Sequence, residues 1–120
     1  MSDMPDFTEV THHVARKEHK CYECGGIIEP LDVYERTAGK WDSGFHIFKV
    51  CGHCETARDW LINETDWKKI LDGDGAEFYF GQLREHLREQ AREGDRQYAF
   101  RAYRFIVLMD RRRKAAKEAK

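Results

Sequence analysis

Apolar positions change period along this chain, and the changes divide it into elements. In LDVYERTAGKWDSGFHIFKV, Leu31 to Val50, β-favouring residues partly alternate with polar ones around a turn-rich middle of Ala38, Gly39, Lys40, Asp42, Ser43 and Gly44. That pattern predicts a hairpin. In ETARDWLINE, from Glu55, the residues Ala57, Trp60 and Leu61 fall at helical spacing, and Glu55 supplies the negative charge that a helix N-terminus favours. From Glu77 to Glu93, Phe80, Leu83, Leu87 and Ala91 recur every three or four residues with Arg84, Glu85, Arg88 and Glu89 on other faces, which predicts an amphipathic helix.

EGDRQ, Glu93 to Gln97, should interrupt that helix, because Gly94 suits a helix end and Asp95 a new N-cap. A second helix is expected beyond it. Tyr98, Ala102, Phe105 and Met109 form one stripe, yet Phe100, Tyr103, Val107 and Leu108 leave little of the circumference polar. The run FIVLM is also β-favouring, so a strand is the alternative there. An element apolar on most sides has to be covered by the rest of the chain or by a partner, and its Tyr and Phe residues are types that interfaces favour. RRRKAAKEAK, from Arg111, would prolong the helix with cations near its C-terminus, where they suit the dipole.

Composition narrows the class. At 120 residues the chain fits one domain, or a small domain with a helical appendage. With 41% apolar and 36% charged residues it is too apolar for a disordered chain and too polar for a membrane protein. No run approaches the roughly 18 apolar residues of a membrane span, and Met1 to Thr11 lacks the blocks of a secretion signal. A cytoplasmic protein is expected. The net charge of −1 hides an asymmetry: residues 1–96 hold 13 Lys/Arg against 20 Asp/Glu, a net −7, and residues 97–120 hold 8 against 2, a net +6. An acidic body has no general attraction for phosphate backbones, so nucleic-acid binding would lean on the basic arm or on a local patch.

The four cysteines supply the chemistry. Cys21 and Cys24 form one Cys-x2-Cys pair, and Cys51 and Cys54 form another after twenty-six intervening residues. In a reducing compartment two such pairs point to a metal before disulfides, and the spacing lets four sulfurs converge on one tetrahedral zinc at about 2.3 Å. A redox motif of the thioredoxin kind needs one pair at a strand-to-helix turn, not two facing pairs. Gly25 and Gly26 suit a tight knuckle behind the first pair, and the second pair opens the Glu55 helix. His53 could replace a cysteine in the metal shell, but four thiolates already close it, leaving no position for a catalytic water. Closed means structural. LDGDGAEF, Leu71 to Phe78, resembles a calcium loop only in Asp72 and Asp74, since Ala76, Glu77 and Leu83 stand where an oxygen ligand, a glycine and a glutamate are required. It reads as a turn.

The order of knuckle, hairpin and helix over about residues 19–64 resembles the treble-clef zinc finger. At finer grain, HKCYECGGIIEPLDVYERTAGKWDSGFHIFKVCGHC is similar to small, mostly uncharacterised zinc-finger proteins encoded by phages and prophages, in which the proline is commonly followed by Gly where Leu31 stands here. The resemblance implies a host or viral protein target, inhibition of a host defence or regulatory system being one such use. His-Asn-His endonucleases also resemble a treble clef, but their chemistry needs a base and metal ligands meeting one phosphate. Here the hairpin offers only Asp42 and His46, the helix Glu55, Asp59 and Asn63, and the adjacent His12 and His13 precede the finger.

These readings give an α+β chain: an N-terminal segment over 1–18, a treble-clef finger over 19–70, and a helical hairpin or arm over 77–120 packed on the finger or on a partner. No catalytic residue and no cofactor other than one zinc is expected. The interaction surface is expected at Lys40 and Trp41 on the hairpin and at Tyr98, Arg101, Tyr103, Arg104, Arg111, Arg112 and Arg113 on the arm. A protein partner is the first expectation, DNA or RNA the alternative, and a homodimer is compatible with both.

Overall fold

A computed structural model of the chain describes residues 7–41, 43–65 and 80–118. They form a small α+β fold in which antiparallel strands precede the helices. β1 (Phe7–Val14), β4 (Val33–Trp41) and β5 (Gly44–Cys51) make a three-stranded sheet in the order β1-β4-β5. β2 (His19–Lys20) and β3 (Ile27–Ile28) form a short two-stranded ladder. Three helices follow: α1 (Gly52–Glu64), α2 (Leu83–Glu93) and α3 (Arg96–Glu118). None is long and apolar enough to cross a membrane.

The hairpin forms, with a tighter turn than expected. Tyr34 pairs with Cys51 and the ladder runs to Trp41 opposite Gly44, so Ala38, Gly39 and Lys40 lie inside β4 and not in the turn. Their small or polar side chains suggested a loop; pairing with β1 on one side and β5 on the other overrides that local preference. β1 was not foreseen. Its sequence FTEVTHHV is half polar, and its partners in the ladder lie 19 to 33 residues ahead, where no local pattern reveals them.

Alternation gives the sheet two different faces. One carries Glu35, Thr37 and Val50, all buried, and receives α1 through Arg58, which grips Glu35 with two hydrogen bonds of 2.6 Å. The other carries Arg36 opposite Lys49, Ala38 opposite Ile47 and Lys40 opposite Phe45, with Lys40, Phe45 and Ile47 exposed.

The residues 80–118 form a helical hairpin. The described part of α2 starts at Leu83, after a turn at Phe80 and Gly81, and positions 77–79 of the expected helix lie outside the described residues, as does LDGDGAEF. The break falls at Gly94, and the carbonyl of Asp95 accepts the N–H groups of Tyr98 and Ala99 as α3 begins. α3 is helical throughout, which removes the strand alternative for FIVLM: Ala102, Phe105, Ile106 and Met109 are buried at helical spacing against Leu83 and Leu87. Arg84 clasps Asp110 across the pair at 2.9 and 3.1 Å. Trp60, Leu61 and Ala57 of α1 join the same core, which runs unbroken into the four cysteines. Full burial of each such Leu or Ile side chain contributes about 1.5–3 kcal/mol.

Candidate metal centre

The ladder of β2 and β3 closes a knuckle. Cys21 N–H donates to the Gly26 carbonyl at 2.8 Å, and Gly25 N–H returns to the Cys21 carbonyl at 3.0 Å. Gly25 has φ +73°, a conformation that side chains rarely tolerate. The knuckle is stitched to β5 by Tyr22 N–H on the Lys49 carbonyl at 2.8 Å. Cys51 ends β5 and Cys54 stands in the first turn of α1, so strand end, helix start and knuckle converge.

The four sulfurs lie within 4.8 Å of one another, and all four cysteines are 4% exposed or less. A tetrahedral ion bound at about 2.3 Å would set its sulfurs about 3.8 Å apart; Cys24 Sγ and Cys51 Sγ are 3.9 Å apart. Backbone N–H groups already point at the sulfurs, Gly26 at Cys24 (3.3 Å) and Cys51 at Cys21 (3.4 Å), as thiolates require. Crowding splits the acidities. Hydrogen bonds from Cys21, Cys51 and Cys54 push the Cys24 thiol well below the ordinary range, while Cys51 and Cys54 are pushed up by their neighbours. A cation among them is what would let all four ionise together. The cluster is compatible with a zinc site built from all four predicted ligands. His53 stays out of it: its ring meets the edge of Phe105 at 5.7 Å, and burial followed by the charge of Arg112 lowers its pKa.

Both ends of the helical hairpin dock on this knuckle, through residues that sequence reasoning assigned otherwise or passed over. Glu23, between the first two cysteines and 8% exposed, accepts N–H bonds from Gly81 (3.0 Å) and Leu83 (3.2 Å) and so caps α2. Burial raises its pKa against the effect of those donors. Tyr22 packs edge-on against Phe48, which stacks on Phe80 at 4.4 Å. At the far end of α3, Arg112 donates to the Ile27 carbonyl (3.1 Å) and Arg113 to the Cys24 carbonyl (3.3 Å). Arg112 presses so close to the knuckle that a Cβ on Gly26 would come within 2.8 Å of its own. Its Nε is buried with no hydrogen-bond partner among the described residues, a positive group laid against a cluster that carries negative charge when ionised.

The residues of the expected interaction surface lie in different surroundings. Arg112 and Arg113 are half-buried, each with one nitrogen on a knuckle carbonyl. Tyr98 packs against Trp60, and Arg101 lies 6.0 Å over the rings of Trp60 and Phe105. Trp41 is half-buried against Phe48. Lys40, Arg101, Tyr103, Arg104 and Arg111 are exposed, and Phe100 and Leu108 join them.

A second group, His12, Glu35 and Glu55, also brings ligand atoms within 4.8 Å. His12 Nε2 meets Glu55 Oε2 at 2.7 Å, joining β1 to α1. Both oxygens of Glu35 are taken by Arg58, so a cation is already in place and the group is an ion-pair network. His46 bonds Ser43 at 2.8 Å and joins no such group among the described residues. Comparison with protein-family models, curated proteins and solved structures finds no match, so the role of this chain is argued from its own residues.

Proposed function

We propose that the chain is a non-catalytic interaction protein of treble-clef type, in which one structural zinc on Cys21, Cys24, Cys51 and Cys54 fixes the surfaces that bind a protein partner in the cytoplasm. A shell of four cysteines leaves no open coordination position, so the metal would supply folding energy, on the order of 10 kcal/mol, and no Lewis acid. The knuckle, hairpin and helix follow the treble-clef order.

The observation that carries the reading is the outward face of α3. With the knuckle and core holding one side, Phe100 (70% exposed) and Tyr103 (58%) stand on the other beside Leu108, Arg104 and Arg111. Aromatic and Arg residues presented on a braced helix are the types that anchor protein interfaces. A host or viral protein is the target that the sequence resemblance implies.

Native mass and metal analysis should find one zinc per chain, and chelation should unfold it; a stable apo-protein would defeat the metal role. A photoreactive residue at position 100 or 103, in cells holding the target, should give a discrete cross-linked species that the same residue at position 89 does not. An adduct with a second copy would make the partner the chain itself. Silence at both positions would sink the protein-contact reading.

A further inference from the structure

The cations of the sheet are sorted by its register. Arg36, Lys40 and Lys49 all fall on the face that α1 does not cover, Arg36 directly opposite Lys49 and Lys40 opposite Phe45. Glu9, opposite Ala38, is the one carboxylate of that face among the described residues. The positive charge continues beyond the sheet. Lys49 Nζ reaches His19 Nδ1 at 3.2 Å, and His19 and Lys20 form the wall of a cleft of about 370 Å³ whose other wall is Arg113 and Lys117 of α3. Lys20 and Arg113 converge over Gly25, where a Cβ would lie 3.8 Å from Lys20 Cε and 3.6 Å from Arg113 Cγ. Glu18 is the one carboxylate lining this cleft.

We propose that this face and cleft form one track for a single strand of nucleic acid, on a surface separate from the outward face of α3. Six cations border it, Arg36, Lys40, Lys49, Lys20, Arg113 and Lys117, and among the described residues none of them forms an ion pair with a carboxylate. Among the described residues Glu9 on the sheet face and Glu18 in the cleft are the carboxylates that share this surface with the six cations. Local charge thus runs against the acidic balance of residues 1–96, as a polyanion site requires. Burial, then the charge of Lys49, lowers the pKa of His19.

Phe45 and Ile47 decide the kind of polyanion. They are 58% and 43% exposed on the same face, Phe45 beside Lys40 and Ile47 between Phe45 and Lys49. An aromatic ring among spaced cations suits unstacked bases whose phosphates follow the cations. A duplex keeps its bases stacked inside, out of reach of such a ring.

The test is fluorescence anisotropy of short labelled oligo-dT and oligo-U with the zinc-loaded full chain across a salt series. Four to six phosphate contacts on a single strand predict a log–log salt slope of about −3 to −4. Arg36→Glu with Lys49→Glu, and separately Lys20→Glu with Lys117→Glu, should each weaken binding roughly tenfold or more, with zinc content and circular dichroism unchanged. Phe45→Ala should weaken it without changing the slope. If a charge-reversed pair fails to fold, Lys40→Gln and Lys117→Gln, both on exposed side chains, take its place. The proposal is overturned by absence of salt-dependent binding to either oligonucleotide, by equal affinity for poly-glutamate, or by loss of binding in Arg104→Glu with Arg111→Glu but not in the track variants. None of those outcomes bears on zinc stoichiometry or on cross-linking at position 100.

Discussion

Glu23 and Leu83 stand sixty positions apart, and the carboxylate of one, held inside the first cysteine pair, accepts the first backbone N–H of the helix that the other begins. Glu23→Ala should cost about 1–2 kcal/mol, the usual loss for a helix cap, and should leave two N–H groups without an acceptor. Glu23→Gln keeps an acceptor oxygen and should cost less. Denaturant midpoints of the three proteins check the order.

Arg58 and Glu35 form a bidentate pair in which the carboxylate side chain is 4% exposed and the guanidinium 17%. Removing the cation alone strands a buried charge, so Arg58→Ala should destabilise by about 3–5 kcal/mol. The double change Arg58→Ala with Glu35→Val should recover much of that loss. A double-mutant cycle on unfolding free energies measures it.

Leu31 has φ +79° and sits third in the turn Glu29-Pro30-Leu31-Asp32, closed by Asp32 N–H on the Glu29 carbonyl at 3.0 Å. That is the type II position that calls for glycine. The left-handed conformation costs a side chain about 1–2 kcal/mol, against about 0.5–1 kcal/mol of extra chain entropy for glycine. Leu31→Gly should therefore stabilise slightly, and Leu31→Val should destabilise. Thermal melts of both variants give opposite shifts if the turn is as described.

His12 has its pKa raised by the hydrogen bond to Glu55 and then by that carboxylate's charge. A cation-forming group whose folded pKa lies above its unfolded value stabilises below the unfolded value, near 6.5, and loses that contribution as pH rises through the folded pKa. The melting difference between wild type and His12→Ala should be largest in mild acid and fade on the alkaline side. Equal differences at both ends of the series would separate His12 from the effect.

Local chemistry made much of this legible. Two Cys-x2-Cys pairs have one common use in a reducing compartment, the glycines behind Cys24 fit a knuckle, and the break at Gly94 coincides with a change of helix. What stayed hidden depends on residues far apart in sequence. Nothing in FTEVTHHV announces its partner in β4, and the strand preferences of FIVLM yield to helical packing on Leu83 and Leu87. Arg112 and Arg113 read as part of a basic patch because a run of arginines is usually solvated; contact with Ile27 and Cys24 turns two of them inward. The sorting of Arg36, Lys40 and Lys49 onto one face needed only the correct register, which the expected wide turn obscured.

The bonds from Arg112 to Ile27 and from Arg113 to Cys24 join positions 85 and 89 residues apart. About three quarters of the chain, residues 24–113, is therefore enclosed in one loop that the last turns of α3 close. Such long-range closure is slow to form and rewards the chain only once most of it is in place. The finger and the arm should then gain and lose structure together, as one cooperative unit and not as a bead followed by a tail.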